Sequence, residues 1–338
     1  MKKIAINGFG RIGSLLFRKL EEEREAEFEV VAVNDLAATE SLAYGLKYDS
    51  VYRKFKGEVK VEGDDLVVNS RRVRVTHEAE PAKLPWGEMG IDLAVEATGK
   101  FESYGKAKAH LLAGAKRVVI TAPVKDEEGV EGGRTVLMGV NEEEMEKTKI
   151  TCNGSCTTNA AYPVIAVLDE AVGIEKAILN TVHGYTATQK LVDGAGGKDP
   201  RRGRAAAVNI IPATTGAAIS VTRGLTQLAG KFDGVALRVP VVAGSVADIT
   251  FVAKKETSRE EVNEALRAAA ISPKWQEILK VTEEPIVSSD IIGEPYGAVA
   301  DLSFTRVVGG NLVKVLSWYD NEWGYVNTLA RHIRRALK

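Results

Sequence analysis

The sequence predicts two domains of different class: an α/β domain on a doubly wound parallel sheet, followed by an α+β domain on a mixed, largely antiparallel sheet. Three observations carry this prediction. Strands alternate with helices over the first third of the chain, which implies parallel pairing. Beyond residue 150 the runs become longer and richer in β-branched residues. The chain has 338 residues, 45% of them hydrophobic, enough for each domain to bury its own core.

In the first domain, residues 3–7 form a short β-like run. Residues 11–23 carry Ile12, Leu15, Leu16 and Leu20 on one helical face, and residues 29–34 hold Val30, Val31 and Val33. Further apolar strands are expected at 92–96 and 117–121, with a helix over 102–114 between them. A strand-like stretch at 149–151 leads into a helix over 160–171, whose Val164, Val167, Leu168 and Ala171 share a face. Pro163 must sit in its first turn or bend it. Strands follow at 177–182, 235–242 and 245–254. Ser258 opens a helix, with Glu261 three positions on to complete a capping box. Residues 189–203 form a long polar loop with four glycines, of the kind that serves a site or a subunit contact. At the end, Leu329, Ile333 and Leu337 recur at helical spacing, so Arg334, Arg335 and Lys338 read as the solvated face of a last helix.

Composition excludes several classes of function. With 45 basic and 46 acidic side chains the net charge is −1, so neither nucleic acid nor an anionic membrane is expected as the main partner. No apolar run approaches the roughly 18 residues of a membrane span, and the opening residues lack a signal-peptide pattern. Two cysteines, Cys152 and Cys156, form no disulfide framework and suit a reducing compartment; the cytoplasm is the expectation.

Gly8-Phe9-Gly10-Arg11-Ile12-Gly13 is a G-x-G-x-x-G run, and its value lies in its context. A strand precedes it, an amphipathic helix follows, and a second strand ends at Asp35, 22 residues after Gly13. This is the dinucleotide-binding fingerprint of a Rossmann-type sheet. The glycines give the tight turn, the close approach of backbone to pyrophosphate and the close helix–strand packing, and the pyrophosphate sits at the helix N-terminus. Asp35 is placed to hydrogen-bond the adenosine ribose and to repel a 2′-phosphate, which favours NAD and leaves NADP use open.

Asn153-Gly154-Ser155-Cys156-Thr157-Thr158-Asn159 is the densest group of reactive and polar side chains. Cys156 would stand at a strand-to-helix turn, where the positive helix end favours a thiolate. A cysteine so placed is often unreactive without a partner. The candidate partner is His183, at a strand end before the polar run Gly184-Tyr185-Thr186-Ala187-Thr188-Gln189; a satisfied core histidine is the alternative.

These motifs, together with Asn209-Ile210-Ile211-Pro212, Thr215-Gly216-Ala217-Ala218, Arg238-Val239-Pro240 and Ser317-Trp318-Tyr319-Asp320-Asn321-Glu322-Trp323-Gly324-Tyr325, run essentially end to end. By them the chain resembles the phosphorylating, glycolytic glyceraldehyde-3-phosphate dehydrogenases. The resemblance implies NAD-dependent oxidation of D-glyceraldehyde 3-phosphate with inorganic phosphate to 1,3-bisphosphoglycerate. Cys156 forms a thiohemiacetal and then a thioester, with His183 as base. Thr186, Arg238 and Arg202 are implied to hold the substrate phosphate; Ser155, Thr157, Thr215 and Gly216 the attacking phosphate. Thr98 and Thr121 are expected to face the cofactor, Asn321 to bond the nicotinamide carboxamide and Tyr325 to pack near that ring, beside the contacts of Gly8, Gly10, Arg11, Ile12, Gly13 and Asp35. The implied division is an NAD-binding domain of residues 1–155, completed by a C-terminal helix at 321–338, and a catalytic and oligomerisation domain of residues 156–320 in a homotetramer.

Several positions depart from the family pattern. Gly154 and Gly184 stand where relatives carry alanine or serine, adding backbone freedom beside the chemistry. Ala160 replaces a second cysteine, while Cys152 appears upstream. Glu78-Ala79-Glu80-Pro81 lacks a common arginine, and Asp193-Gly194-Ala195-Gly196-Gly197 lacks a common proline, which keeps cofactor preference open. The competing readings are an erythrose-4-phosphate dehydrogenase, disfavoured by the Thr215-Gly216 pair, and a non-catalytic dinucleotide-responsive binding protein, which would need neither Cys156 nor His183.

Overall fold

The computed structural model describes residues 1–23 and 27–338. They divide into two compact units: Met1–Val136, Asn141–Gly154 and Leu329–Lys338 in the first, and Leu137–Val140 and Ser155–Thr328 in the second.

The first unit is built on nine strands: β1 (Lys2–Asn7), β2 (Phe28–Asn34), β3 (Val59–Glu62), β4 (Asp65–Val68), β5 (Arg71–Thr76), β6 (Leu93–Glu96), β7 (Arg117–Ile120), β8 (Arg134–Thr135) and β9 (Ile150–Cys152). Their order is β3-β4-β5-β2-β1-β6-β7-β9-β8. Pairing is parallel from β5 through to β8, and among the described residues the β3–β4 and β4–β5 pairs alone are antiparallel. β1 lies between β2 and β6, where the winding reverses. Such a switch point opens a crevice beyond the carboxyl ends of the strands. Ile4 and Ile6 of β1 are fully buried, as expected of a central strand covered on both faces.

Helix α1 (Arg11–Glu23) occupies the expected residues and buries Leu15, Leu16, Phe17 and Leu20; α2 (Thr39–Lys47) and the short α3 (Trp86–Met89) follow. The helix expected over 102–114 is instead two single turns, α4 (Tyr104–Ala107) and α5 (Ala109–Leu112). Ser103 caps α4 by accepting from the Lys106 amide at 3.2 Å, so helical pairing cannot begin at Glu102. Gly105 further weakens the first turn.

The second unit opens with α6 (Cys156–Val172), starting four residues earlier than the apolar pattern suggested and carrying Pro163 inside it. Its sheet comprises β10 (Ile174–Gly184), β11 (Ile211–Thr214), β12 (Phe232–Val239), β13 (Ser245–Ala253), β14 (Leu279–Thr282), β15 (Ala298–Val308) and β16 (Leu312–Tyr319), in the order β11-β12-β10-β13-β16-β15-β14. Only β10–β12 and β14–β15 are parallel pairs. α7 (Ala217–Gly224) and α8 (Arg259–Ala270) join α6 in a core where Val164, Ile165 and Leu168 meet Leu179, Ile249, Phe251 and Val313. Burial of each such side chain contributes roughly 2 kcal/mol. The capping box expected at α8 is half formed. Ser258 accepts from the Glu261 amide at 3.1 Å, but the Glu261 carboxylate turns away to Thr257 and Lys255.

Helix α9 (Trp323–Leu337) starts in the second unit and ends in the first. Leu329 and Ile333 are buried, and His332 is buried with Nε2 2.7 Å from the Thr151 hydroxyl.

Candidate active site

The position of Cys156 follows from the turn before it. Gly154 has φ +65°, the left-handed region that side chains disfavour, which accounts for glycine where relatives carry alanine. Ser155 then caps α6. Its hydroxyl accepts from the Thr158 amide at 3.0 Å, while the Thr158 hydroxyl accepts from the Ser155 amide at 3.1 Å. Cys156 is therefore the first helical residue, and its Sγ lies 3.3 Å from Nε2 of His183.

His183 lies near the end of β10, in register with Arg238 of β12. Its Nδ1 is 2.7 Å from the Gly184 carbonyl. A carbonyl only accepts, so Nδ1 carries the proton and the Nε2 lone pair faces the thiol. Gly184 is required for packing, because a methyl there would meet the Val241 carbonyl oxygen at 2.8 Å. Burial pushes the His183 pKa down to about 3, and neighbouring Arg238 pushes the same way. Burial also raises the Cys156 thiol. Arg238, Thr157 and the first amides of α6 act against that rise and favour the thiolate. Sγ and Nε2 therefore stand within reach of a direct proton transfer.

Around this pair the second unit gathers cationic and hydroxyl groups. Among the described residues the Arg238 guanidinium has no carboxylate partner, and it donates to the Gly184 carbonyl at 3.5 Å. Arg202 lies close enough to contribute to lowering the Arg238 pKa, although burial is the larger cause. In the run Arg201-Arg202-Gly203-Arg204, Arg201 pairs with Asp199 and Arg204 with Asp193, while Arg202 has no acidic partner among the described residues. The Thr186 hydroxyl is 3.0 Å from that of Thr188, and its amide donates to Gln189 at 3.1 Å. Gly216 caps α7, and the Thr215 hydroxyl accepts from the Ala217 amide at 3.2 Å. Thr157 differs from expectation in its orientation: its hydroxyl is buried 2.8 Å from that of Tyr319, not presented to an incoming anion.

The first unit holds a cleft of about 280 Å³ lined by Asn7, Gly8, Gly10, Asn34, Asp35 and Thr98 among others, at the carboxyl ends of β1, β2 and β6. A methyl on Gly10 would meet nothing within 4 Å, which leaves open space over the turn. A methyl on Gly13 would lie 2.0 Å from the Gly8 carbonyl oxygen, and one on Gly8 2.7 Å from the backbone of Ala97 and Thr98. The residues fit a dinucleotide: open space at one glycine, backbone contact at the other two, and the N-terminus of a 13-residue helix beneath. Asp35 lines the cleft and accepts from the Phe9 amide at 2.8 Å and the Ala37 amide at 3.0 Å. Arg11 pairs with Asp49, Ile12 is half-buried beside it, and the Thr121 hydroxyl donates to the Glu96 carbonyl at 3.1 Å.

Comparison with known proteins gives the same answer for both units. Residues 2–104 match the family model "Glyceraldehyde 3-phosphate dehydrogenase, NAD binding domain", and residues 155–321 its "C-terminal domain". The chain is 47% identical to the glyceraldehyde-3-phosphate dehydrogenase of Thermotoga maritima, over all of both chains. It is 46% identical to that of Streptomyces coelicolor and 48% to that of Xanthobacter flavus, each over 97% of this chain and 96% of the relative. The chain belongs to the glyceraldehyde-3-phosphate dehydrogenase family.

Family membership accounts for the NAD-binding fold of the first unit and directs attention to residues that the sequence left unremarked. Tyr319 had no assigned role, yet its hydroxyl joins Thr157 of α6 (2.8 Å) to Thr181 of β10 (2.7 Å), and its ring stands edge-on to His183 at 5.9 Å. It ties the helix that carries the thiol to the strand that carries the imidazole. The buried group of Glu96 and His110 behind the dinucleotide cleft was also missed. Asn321 is buried, its carbonyl oxygen accepting from the Ser245 hydroxyl at 2.8 Å and the Gly244 amide at 3.1 Å; Tyr325 is buried in α9. Among the described residues, no His, Cys and carboxylate cluster could hold a metal, and no helix is long and apolar enough to cross a membrane.

Proposed function

We propose that the chain oxidises D-glyceraldehyde 3-phosphate to 1,3-bisphosphoglycerate through an acyl-enzyme on Cys156, with His183 as the proton carrier. The observation that carries this reading is the 3.3 Å approach of the thiol to the Nε2 lone pair, beside an arginine without an acidic partner. As Sγ attacks the aldehyde carbon, its proton passes to Nε2, and the developing alkoxide is protonated to give a thiohemiacetal. NAD, when bound in the first domain, supplies the hydride acceptor. His183 takes the hydroxyl proton as the carbon is oxidised, which leaves a thioester on Cys156. Inorganic phosphate then attacks the thioester carbon. The carbon–sulfur bond breaks, and the proton on His183 returns to the sulfur.

Arg238, Arg202 and Thr186 hold the substrate phosphate in this reading, where a guanidinium without a protein anion is best used. Ser155, Thr157, Thr215 and Gly216 receive the attacking phosphate, Thr157 chiefly through its backbone, since its hydroxyl is committed to Tyr319. Asn321, with its carbonyl oxygen already occupied, offers its amide nitrogen to the nicotinamide carboxamide, and Tyr325 stiffens the helix start beside it. Gly8, Gly10, Arg11, Ile12, Gly13, Asp35, Thr98 and Thr121 serve the dinucleotide, Arg11 and Thr121 indirectly through Asp49 and Glu96. Residues 1–155 with 321–338 act as the NAD-binding domain, and residues 156–320 as the catalytic and oligomerisation domain.

The chain works as a homotetramer in the cytoplasm. Supporting this, Ile178, Val235 and Phe304 lie exposed on the sheet of the second unit, and Leu191, Val192, Val208 and Ile210 are exposed in and after the long loop. A tetrameric mass by light scattering is expected; a monomer at assay concentration contradicts this part. The reaction is tested by following NADH formation with glyceraldehyde 3-phosphate, with and without phosphate, against erythrose 4-phosphate and against NADP. Turnover independent of phosphate contradicts the acyl-phosphate route.

A further inference from the structure

Behind the dinucleotide cleft lies a buried polar group that the reaction does not use. Glu96 ends β6, is 2% exposed, and among the described residues pairs with no lysine or arginine. One carboxylate oxygen accepts from the Thr98 amide at 2.9 Å and from the Thr98 hydroxyl. The other accepts from Asn7 Nδ2 at 2.6 Å and lies 2.9 Å from His110 Nε2. Trp86 settles the tautomer of that imidazole. The indole N–H, which can only donate, points at His110 Nδ1 at 3.1 Å, so the imidazole proton sits on Nε2 and is given to Glu96. All four groups are placed to donate to the carboxyl.

The consequence reaches the cleft wall. With Nδ2 of Asn7 held by Glu96, the Asn7 carbonyl oxygen is turned to accept from Asn34 at 2.7 Å. Asn34 in turn donates to the Glu78 carbonyl at 2.8 Å and accepts from the Glu78 amide at 2.9 Å. Asn7, Asn34, Glu78 and Thr98 all line the cleft. They come from β1, β2, the segment after β5 and the segment after β6; the Glu96 carboxyl fixes the orientation of Asn7 and Thr98, and the Glu78 backbone fixes that of Asn34 to match. Burying a carboxyl without a cation carries a desolvation penalty that an apolar side chain would not. A buried carboxylate is retained where its charge organises something.

We infer that Glu96, fixed by the Trp86–His110 pair, is a positioning residue for dinucleotide binding: it presents Thr98 and Asn7 to the cofactor in one orientation. This rests on reading the cleft as the NAD site. The test measures the Kd for NAD by protein fluorescence, together with kcat at saturating NAD, for the wild type, E96Q, T98V, the E96Q/T98V double variant and W86F. Glutamine confronts the Asn7 and His110 donors with a further N–H, leaving a buried donor unpaired. The expected result is an NAD affinity loss of about tenfold with kcat within about threefold. Because Glu96 acts through Thr98, the double variant should lose little more than E96Q alone. W86F, which frees the His110 tautomer while keeping the aromatic volume, should weaken NAD in the same direction by a smaller factor. Should E96Q not fold, W86F and its double variant with T98V carry the same comparison. A wild-type protein that does not bind NAD overturns the reading of the cleft. A wild type that binds, with E96Q or W86F unchanged in Kd or with fully additive losses, overturns the positioning role alone.

Discussion

The dinucleotide cleft and the thiol–imidazole pair are built from different materials. In the first unit the decisive atoms are backbone. Three glycines shape a turn, a 13-residue helix offers its N-terminus, and side chains such as Arg11 and Thr121 bond elsewhere in the protein. In the second unit the decisive atoms are side chains: a thiol, an imidazole, and the guanidinium groups of Arg238 and Arg202, on separate helices, strands and loops. The first kind of site is damaged by adding an atom and the second by removing one. In the proposed function the cofactor site also carries a redundancy that the thiol lacks, because several amides at the helix N-terminus would share a pyrophosphate while one sulfur forms one bond.

Removing the sulfur should therefore have the largest effect of any single change. C156S is expected to lower kcat by about a thousandfold or more while NAD affinity stays within about twofold. H183N should cost about 10²- to 10⁴-fold in kcat through loss of the proton acceptor, again without changing NAD affinity. Either variant losing NAD binding in parallel with activity would break the contrast between the units. R238A should raise the KM for glyceraldehyde 3-phosphate by about tenfold to a hundredfold, as expected for loss of a charge-assisted contact. From the other side, G13A places a methyl 2.0 Å from the Gly8 carbonyl oxygen. It should weaken NAD and lower stability by about 1–3 kcal/mol, with the rate of Cys156 alkylation by iodoacetamide unchanged.

Stability against pH tests the burial of the histidines in both units. The folded pKa of His183 is pushed down to about 3 by burial and then by Arg238, and that of His332 to about 3 by burial alone, both from 6.5. The unfolded chain binds these protons first. Stability is therefore complete above pH 6.5 and falls as pH drops from 6.5 toward 3. Urea midpoints between pH 4 and 7 read this directly, and H332Q should flatten the slope by about half.

Much of this was legible in the sequence because it rested on local chemistry. The glycine spacing, the strand before it and Asp35 lie within one βαβ unit. The Ser155–Thr158 cap that exposes Cys156 is four residues long. What escaped the sequence lies in register and depth. Tyr319 reaches Thr157 across 162 positions of the chain, and His110 meets Glu96 only because β6 carries it beneath α5. The 3.3 Å approach of Cys156 to His183 depends on how α6 meets the end of β10, which no motif records. The broken helix at 102–112 shows local propensity yielding to a cap and a glycine.

The central claim is most directly tested by trapping the acyl-enzyme. The protein is mixed with glyceraldehyde 3-phosphate and NAD in phosphate-free buffer, quenched with acid, and its cysteine peptides are weighed by mass spectrometry. One 3-phosphoglyceroyl group should be found on Cys156, released when inorganic phosphate is added before the quench. An adduct on Cys152, or none on Cys156 while NADH still forms, contradicts the account.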